Sequence, residues 1–255
     1  MTVRVKRHYR RKRRKPGSIK WLMHILAVLL IAVAGYFFIQ SSLFSISLIK
    51  VLGTQSVSGE EIVGISGLEK GENIFKINTD SAKEKILTHA LVEEVEINKK
   101  LPATLEITVR ERIPAAFIPA EEGLFQIDLK GNILRKQAVI GSQLLPIITG
   151  AELPSGTGVG KRLESDQLQM GLQMIAQMDE QAKEIVAELD VSNPQKLRAY
   201  TVQGTEVRLG DAKDFKEKFN KFLQVIKEEE KRGTLDKMEY IDVSFSGRPV
   251  VFYRK

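Results

Sequence analysis

The longest apolar run of the chain, WLMHILAVLLIAVAGYFFI from Trp21 to Ile39, contains no Asp, Glu, Lys or Arg. At about 1.5 Å of rise per helical residue it reaches roughly 28 Å, the thickness of a bilayer's hydrocarbon layer, so the pattern predicts one membrane-spanning helix. Trp21 and Tyr36, near its two ends, suit the membrane interfaces. Beyond it the apolar positions come in shorter sets. Ser45 to Val51 reads as a strand broken at Gly53. Ser58 with Glu61, and Ser81 with Glu84, have capping-box spacing and open two short amphipathic helices, the first ending by Gly67. Between them, Gly71 to Phe75 reads as a turn that directs Ile74 and Phe75 at the core. In VEINKKLPATLEITVRER, Val95 and Ile97 share a face with Leu105, Ile107 and Val109, while Glu94, Glu96, Glu106, Thr108 and Arg110 take the other. A hairpin with one apolar face needs a cover, and the two helices supply it. The order is β-α-α-β-β.

The second half is β-rich with packed helices. Leu124 to Asp128 and Gly131 to Leu134 form a hairpin, Leu145 to Gly150 a further strand, and Asp166 to Met178 a helix through Leu168, Leu172, Ile175 and Met178. Ile185 to Asp190, Leu197 to Val202 and Glu206 to Leu209 read as strands, the last two joined at Gln203-Gly204. Asp211 to Lys231 is a strong helix whose stripe of Phe215, Phe219, Phe222, Leu223 and Ile226 belongs in the core, because exposed apolar patches of that size are uncommon. Near the end, Ile241, Val243 and Phe245 alternate with Tyr240, Asp242 and Ser244, and Gly247-Arg248-Pro249 turns the chain into Val250 to Tyr253. The fold class is α+β.

Charge changes the picture mainly at the amino end. Of 39 Lys and Arg residues, ten lie in residues 1–20 (Arg4, Lys6, Arg7, Arg10, Arg11, Lys12, Arg13, Arg14, Lys15 and Lys20), which leaves 29 basic against 32 acidic residues in the body. A basic flank on an apolar helix is retained in the cytoplasm, so residues 41–255 are expected outside, a single-pass type II arrangement. Ala32-Val33-Ala34 before Gly35 has the form of a signal-peptide cleavage site, but Tyr36 to Ile39 extend the apolar run past it. The same flank is explained by topology and anionic headgroups without nucleic acid. Cysteine is absent, so an exported domain here stands on packing alone.

Catalytic chemistry has few residues to use. The histidines are His8 in the tail, His24 in the apolar run and His89, too few outside the membrane for a triad or a multi-His metal site. Gly156 to Lys161 resembles a phosphate loop, but Ser155 replaces its first glycine and Arg162 stands where a hydroxyl should bind magnesium. Glu93/Glu94 and Glu121/Glu122 are sequence neighbours and on strands would face opposite ways. No enzyme activity, cofactor, metal or small-molecule substrate is expected.

The β-α-α-β-β order, Phe44-Ser45-Ile46 after the apolar helix, the Gly71 to Phe75 turn and VEEVEINKKLPATLEITVRERIPAAF together resemble a POTRA domain. Behind a basic tail and one membrane helix, the arrangement resembles the FtsQ/DivIB cell-division family, most specifically in Leu101-Pro102-x-Thr104-Leu105 and Val109-x-Glu111-Arg112-x-Pro114. The resemblance implies a tail (1–20), a membrane helix (21–40), a POTRA-like domain (41–113) and a β domain (114–255). It implies a scaffold at the division septum that binds the single-pass proteins FtsL and FtsB (DivIC in Gram-positive species) and links the division ring to the septal wall synthase. By composition the last strands are ordinary closing strands. The resemblance makes them the partner-binding site: Tyr240 as aromatic anchor, Ile241, Asp242, Val243, Ser244 and Phe245, Arg248 as charge partner, then Val250, Val251 and Phe252. Glu94 to Lys99 offers a second edge. Two other readings compete, a POTRA-bearing transport or assembly component, which would need a downstream β-barrel, and an exported cell-wall enzyme.

Overall fold

A computed structural model describes residues 17–139 and 144–254; most of the predicted basic tail, with His8, lies outside them. The first helix, α1 (Gly17–Ile39), is unbroken, and no residue of its apolar window from Lys20 to Ile39 is buried inside the protein. A helix that is apolar all round and buried by nothing else is long and greasy enough to cross a membrane. Its carboxyl end is tied down. Asn73 donates to the Ile39 carbonyl at 2.7 Å, and Phe44 stacks edge-on between Phe38 and Phe75, with ring centroids 5.3 and 5.1 Å away.

The next elements follow the predicted order: β1 (Leu48–Leu52), α2 (Gly59–Ser66), α3 (Thr79–Leu87), β2 (Val92–Lys100) and β3 (Thr104–Glu111), with the strands ordered β1-β3-β2. Ser58 caps α2 by accepting from the Glu61 amide, and Gly67 ends it in a left-handed conformation. Ile62, Ile86, Val92, Leu105 and Ile107 are fully buried. Four local expectations shift. Residues 45–47 precede the strand, because Ser45 bridges to Asn73 and the Ile46 amide bonds the Glu72 carbonyl. The second helix starts at Thr79, directly after Asn78, another residue that favours a cap, so Ser81 lies inside its first turn. Ile74 is buried but Phe75 is half-exposed against Phe44. On β2 it is Val92 and Val95 that are buried, three apart, and Ile97 is only half-buried.

The remaining strands form one nine-stranded sheet. β4 (Pro114–Pro119), β5 (Leu124–Asp128) and β6 (Ile133–Gln137) make an antiparallel meander, and β7 (Ile147–Thr149) joins β4 in parallel. Helices α4 (Asp166–Gln177) and α5 (Glu180–Ile185) lead to β8 (Val186–Asp190), β9 (Leu197–Thr201) and β10 (Glu206–Gly210). After α6 (Phe215–Arg232), β11 (Met238–Asp242) and β12 (Val250–Tyr253) complete the order β12-β11-β10-β9-β8-β7-β4-β5-β6. The stripe of α6 is core, as its spacing requires: Phe215, Phe219, Phe222, Leu223 and Ile226 are all buried. The helix begins four residues later than its sequence pattern, since Asp214 is left-handed and the Asp211 carbonyl and carboxylate both accept from the buried Lys218.

By packing the chain makes two compact units. One runs to Lys50 and adds Leu68–Asn78 and Asn98–Glu106; the other takes Val51–Gly67, Thr79–Ile97 and the described residues from Ile107 onward.

Candidate partner-binding edge

The two outer strands of the nine-stranded sheet are β6 and β12. At β6, Ile133 already exchanges backbone bonds with Gly160 and Lys161, and Asn132 bridges to Arg162. At β12 the inner side pairs with β11, in the register Tyr240↔Phe252, Ile241↔Val251 and Asp242↔Val250. The outer side of β12 carries no strand among the described residues. This corrects one expectation. Tyr240, Ile241 and Asp242 are not at the edge, because β11 is also paired, in parallel, with Glu206, Val207 and Arg208 of β10. Its backbone groups are used on both sides, so an added strand can meet only β12.

The strand also stops earlier than its alternation suggests. The Asp242 carboxylate accepts from the amide and hydroxyl of Ser244, a local turn that ends β11. Val243 is buried and its amide bonds the Arg208 carbonyl, so it serves the core. Phe245 is 44% exposed in the loop that follows, and Arg248 is exposed there too. On β12, Val251 packs against the core while Val250 and Phe252 are 47% and 43% exposed. A large ring and a branched aliphatic side chain thus stand on a strand that is paired on one side only.

Tyr240 is less free than an anchor should be. The Arg208 guanidinium lies 3.6 Å from its ring centroid, and Phe252 stacks on it at 5.1 Å with a 10° interplanar angle. Arg208 is in turn held by Glu206 at 3.1 Å, and Arg198 reaches the same carboxylate at 3.5 Å. The row Arg198, Glu206, Arg208, Tyr240, Phe252 crosses four strands, and its exposed terminus is Phe252. The ring that a newcomer meets first is therefore Phe252.

The roles of two carboxylates, one buried and one partly buried, escaped the sequence reading. Glu229, on the inner side of α6, accepts from Thr234, Tyr253 and Arg232. The Thr234 hydroxyl is the main reason that its carboxyl sits below the ordinary value, and the same carboxylate raises the Tyr253 phenol. Glu111, in the motif that carries the family resemblance, accepts from the amides of Gln55, Ser56 and Val57 at 2.7 to 3.0 Å. Burial pushes its carboxyl up, but the backbone donors outweigh burial and leave it lowered. The only advance signal for Glu229 was a charge at helical spacing within an apolar stripe.

The other candidates are accounted for. The β2 edge carries Glu94, bound to Arg110 at 2.7 Å, and Glu96 and Lys99, charged side chains of the kind that discourage strand addition. Lys161 donates to the Gly156 carbonyl at 2.7 Å and so closes its own glycine-rich loop. His89 lies 3.3 Å from Glu61. Among the described residues no cluster of three His, Asp or Glu side chains could hold a metal ion.

Residues 44–112 match the family model of the POTRA domain of FtsQ type, and residues 116–244 match that of the C-terminal region of the cell-division protein FtsQ/DivIB. Similar proteins include the cell-division protein DivIB of Clostridium botulinum (strain Loch Maree / Type A3), 28% identical over 97% of this chain and 96% of its own. DivIB of Clostridium acetobutylicum is 30% identical over 81% of this chain and 82% of its own. FtsQ of Corynebacterium glutamicum is 24% identical over 86% and 95%.

Proposed function

Because this chain belongs to the FtsQ/DivIB family of bacterial cell-division proteins, we propose that it works as a single-pass scaffold of the division machinery, by binding and without catalysis. The basic tail (1–20) stays in the cytoplasm, the helix at 21–40 spans the membrane, and the POTRA-like part (41–113) and β domain (114–255) lie outside at the septum. The partners are FtsL and the FtsB/DivIC-type proteins, through which the scaffold links the division ring to septal peptidoglycan synthesis.

The open edge of β12 is the observation that supports this reading. An extended segment of the partner adds as a tenth strand. Its backbone bonds supply affinity, and alternate side chains select the register against Phe252 and Val250. Tyr240 contributes from behind by holding the Phe252 ring, and Arg248 lies on the loop that enters the strand. A strand addition of this kind needs no cavity and no reacting group.

A photoreactive residue at Phe252 in living cells should cross-link to the FtsB/DivIC-type partner, and Phe252→Lys should lose that partner in pull-downs while the protein stays folded. Full partner retention by Phe252→Lys would discard the β12 edge as the site. Tyr240→Ala should weaken retention less than Phe252→Lys does, because it removes only the backing of the ring.

A further inference from the structure

The edge strand is poorly held by its own packing. β12 is four residues long, has one neighbour strand, and only Val251 packs into the core. Burying part of one valine is worth only about 1 kcal/mol. The pairing is also irregular where it matters, since the register shifts between Met238↔Tyr253 and Tyr240↔Phe252. A bulge leaves a residue out of the ladder and loosens the pairing around it. The loop that enters the strand offers little help: Phe245 and Arg248 are exposed, and among the described residues its one bond from a helix is Lys221 to the Ser246 carbonyl at 3.3 Å.

At the far end of β12 the situation reverses. The Tyr253 hydroxyl donates to Glu229 at 2.8 Å, and the Arg254 amide donates to the Lys237 carbonyl at 2.7 Å. Glu229 is only 2% exposed. An ionised carboxylate on the inner side of a helix is costly unless donors converge on it. Here two donors come from the carboxyl-terminal turn of its own helix and the residues just after it, Arg232 at 2.7 Å and Thr234 at 2.6 Å. The third comes from the last strand. A carboxylate fixed by its own helix end thus holds the phenol of the outermost strand.

We infer that Glu229 and Tyr253 form a lock that fixes β12 in register and so sets how well the edge receives a partner strand. Both are positioning residues: neither needs to touch the partner. The inference rests on the reading of β12 as the binding edge. A strand released at Tyr253 pairs only through the three residues beyond the bulge and spends part of its time detached. A partner strand then has to order the edge before pairing with it, and it leaves faster when the edge opens.

The test uses the full chain in detergent, a purified FtsB/DivIC-type partner, and three variants. Tyr253→Phe removes one hydroxyl and keeps the ring; its thermal midpoint should stay within a few degrees of wild type, as expected for one lost hydrogen bond. Amide exchange at Val251 to Arg254 should rise about tenfold while the amides of α6 keep their protection. Partner dissociation should quicken by a similar factor with association little changed. Glu229→Gln keeps an oxygen for the phenol and should show only part of both effects. Phe252→Lys, which alters the edge directly and leaves the Glu229–Tyr253 bond in place, should lose the partner. If Tyr253→Phe exchanges at the wild-type rate, there is no lock. If exchange rises but the partner leaves no faster, the lock does not serve binding. If Phe252→Lys retains the partner fully, the edge reading itself is wrong and this inference falls with it.

Discussion

Replacing Glu111 tests how much of the POTRA-like unit depends on one carboxylate. Its Oε1 accepts from Gln55 at 2.7 Å, Ser56 at 2.9 Å and Val57 at 3.0 Å, and Oε2 accepts from Ser56 at 3.0 Å. Three successive amides aimed at one anion fix the turn that presents Ser58 as the cap of α2. In Glu111→Ala, water can reach the more exposed amides of Gln55 and Ser56, but Val57 is buried. The loss is therefore close to that of one charged hydrogen bond plus a partly stranded donor, about 2–3 kcal/mol. At about 2–4 °C per kcal/mol, the thermal midpoint of the full chain in detergent should fall by about 4–12 °C. Glu111→Gln keeps an acceptor without the charge and should fall about half as far. The pH dependence has a definite sign. The folded carboxyl is lowered from its ordinary value, so its contribution is complete above about pH 4.3, the unfolded value, and disappears as pH falls through the folded one. The gap between wild type and Glu111→Gln should stay constant from pH 6 to 8 and narrow in acid. An alanine variant that melts within 1 °C of wild type, or a gap that survives undiminished in acid, would refute the reasoning.

Phe219→Ala, in the buried stripe of α6, should cost about 3–5 kcal/mol through lost transfer energy and a cavity, read as a lower denaturation midpoint. Gly53→Ala should destabilise by at least about 2 kcal/mol, since the backbone is left-handed at φ +83 and a Cβ would collide with the Val109 carbonyl. Gly156→Ala is its control: φ is +76 but nothing lies near the new methyl, so the cost should stay about 1 kcal/mol.

Local periodicity carried much of this fold. The long apolar helix α1, the Ser58 cap, the hairpin and the phenylalanine stripe of α6 are each written in a few neighbouring residues, and their physics is local. What the pattern missed depends on distant pairing. Nothing in the pattern marked PAAFIP as a strand, yet it is β4, with four consecutive buried residues between prolines. Such a run is what a strand covered on both faces requires, and it has no alternation to reveal it. Helix α5, only six residues long, is too short to show a period. The placement of Tyr240 to Asp242 failed for the same reason: a strand's position in a sheet depends on which strands flank it, and the parallel pairing of β10 with β11 leaves no local mark. Glu229 and Lys218 were hidden because each is a charged residue inside an otherwise apolar stripe, satisfied by groups the spacing does not reveal.

The order of the sheet also dictates when its rim comes into being. β7 pairs with β4, made some thirty residues earlier, and waits for β8 on its other side. β11 needs β10 across the whole length of α6, and β12 can form only against β11. During synthesis the outermost strand is therefore the last of the sheet to be assembled, and a copy truncated before Val250 lacks it. A surface built in this sequence reports on completion: only a finished molecule displays it.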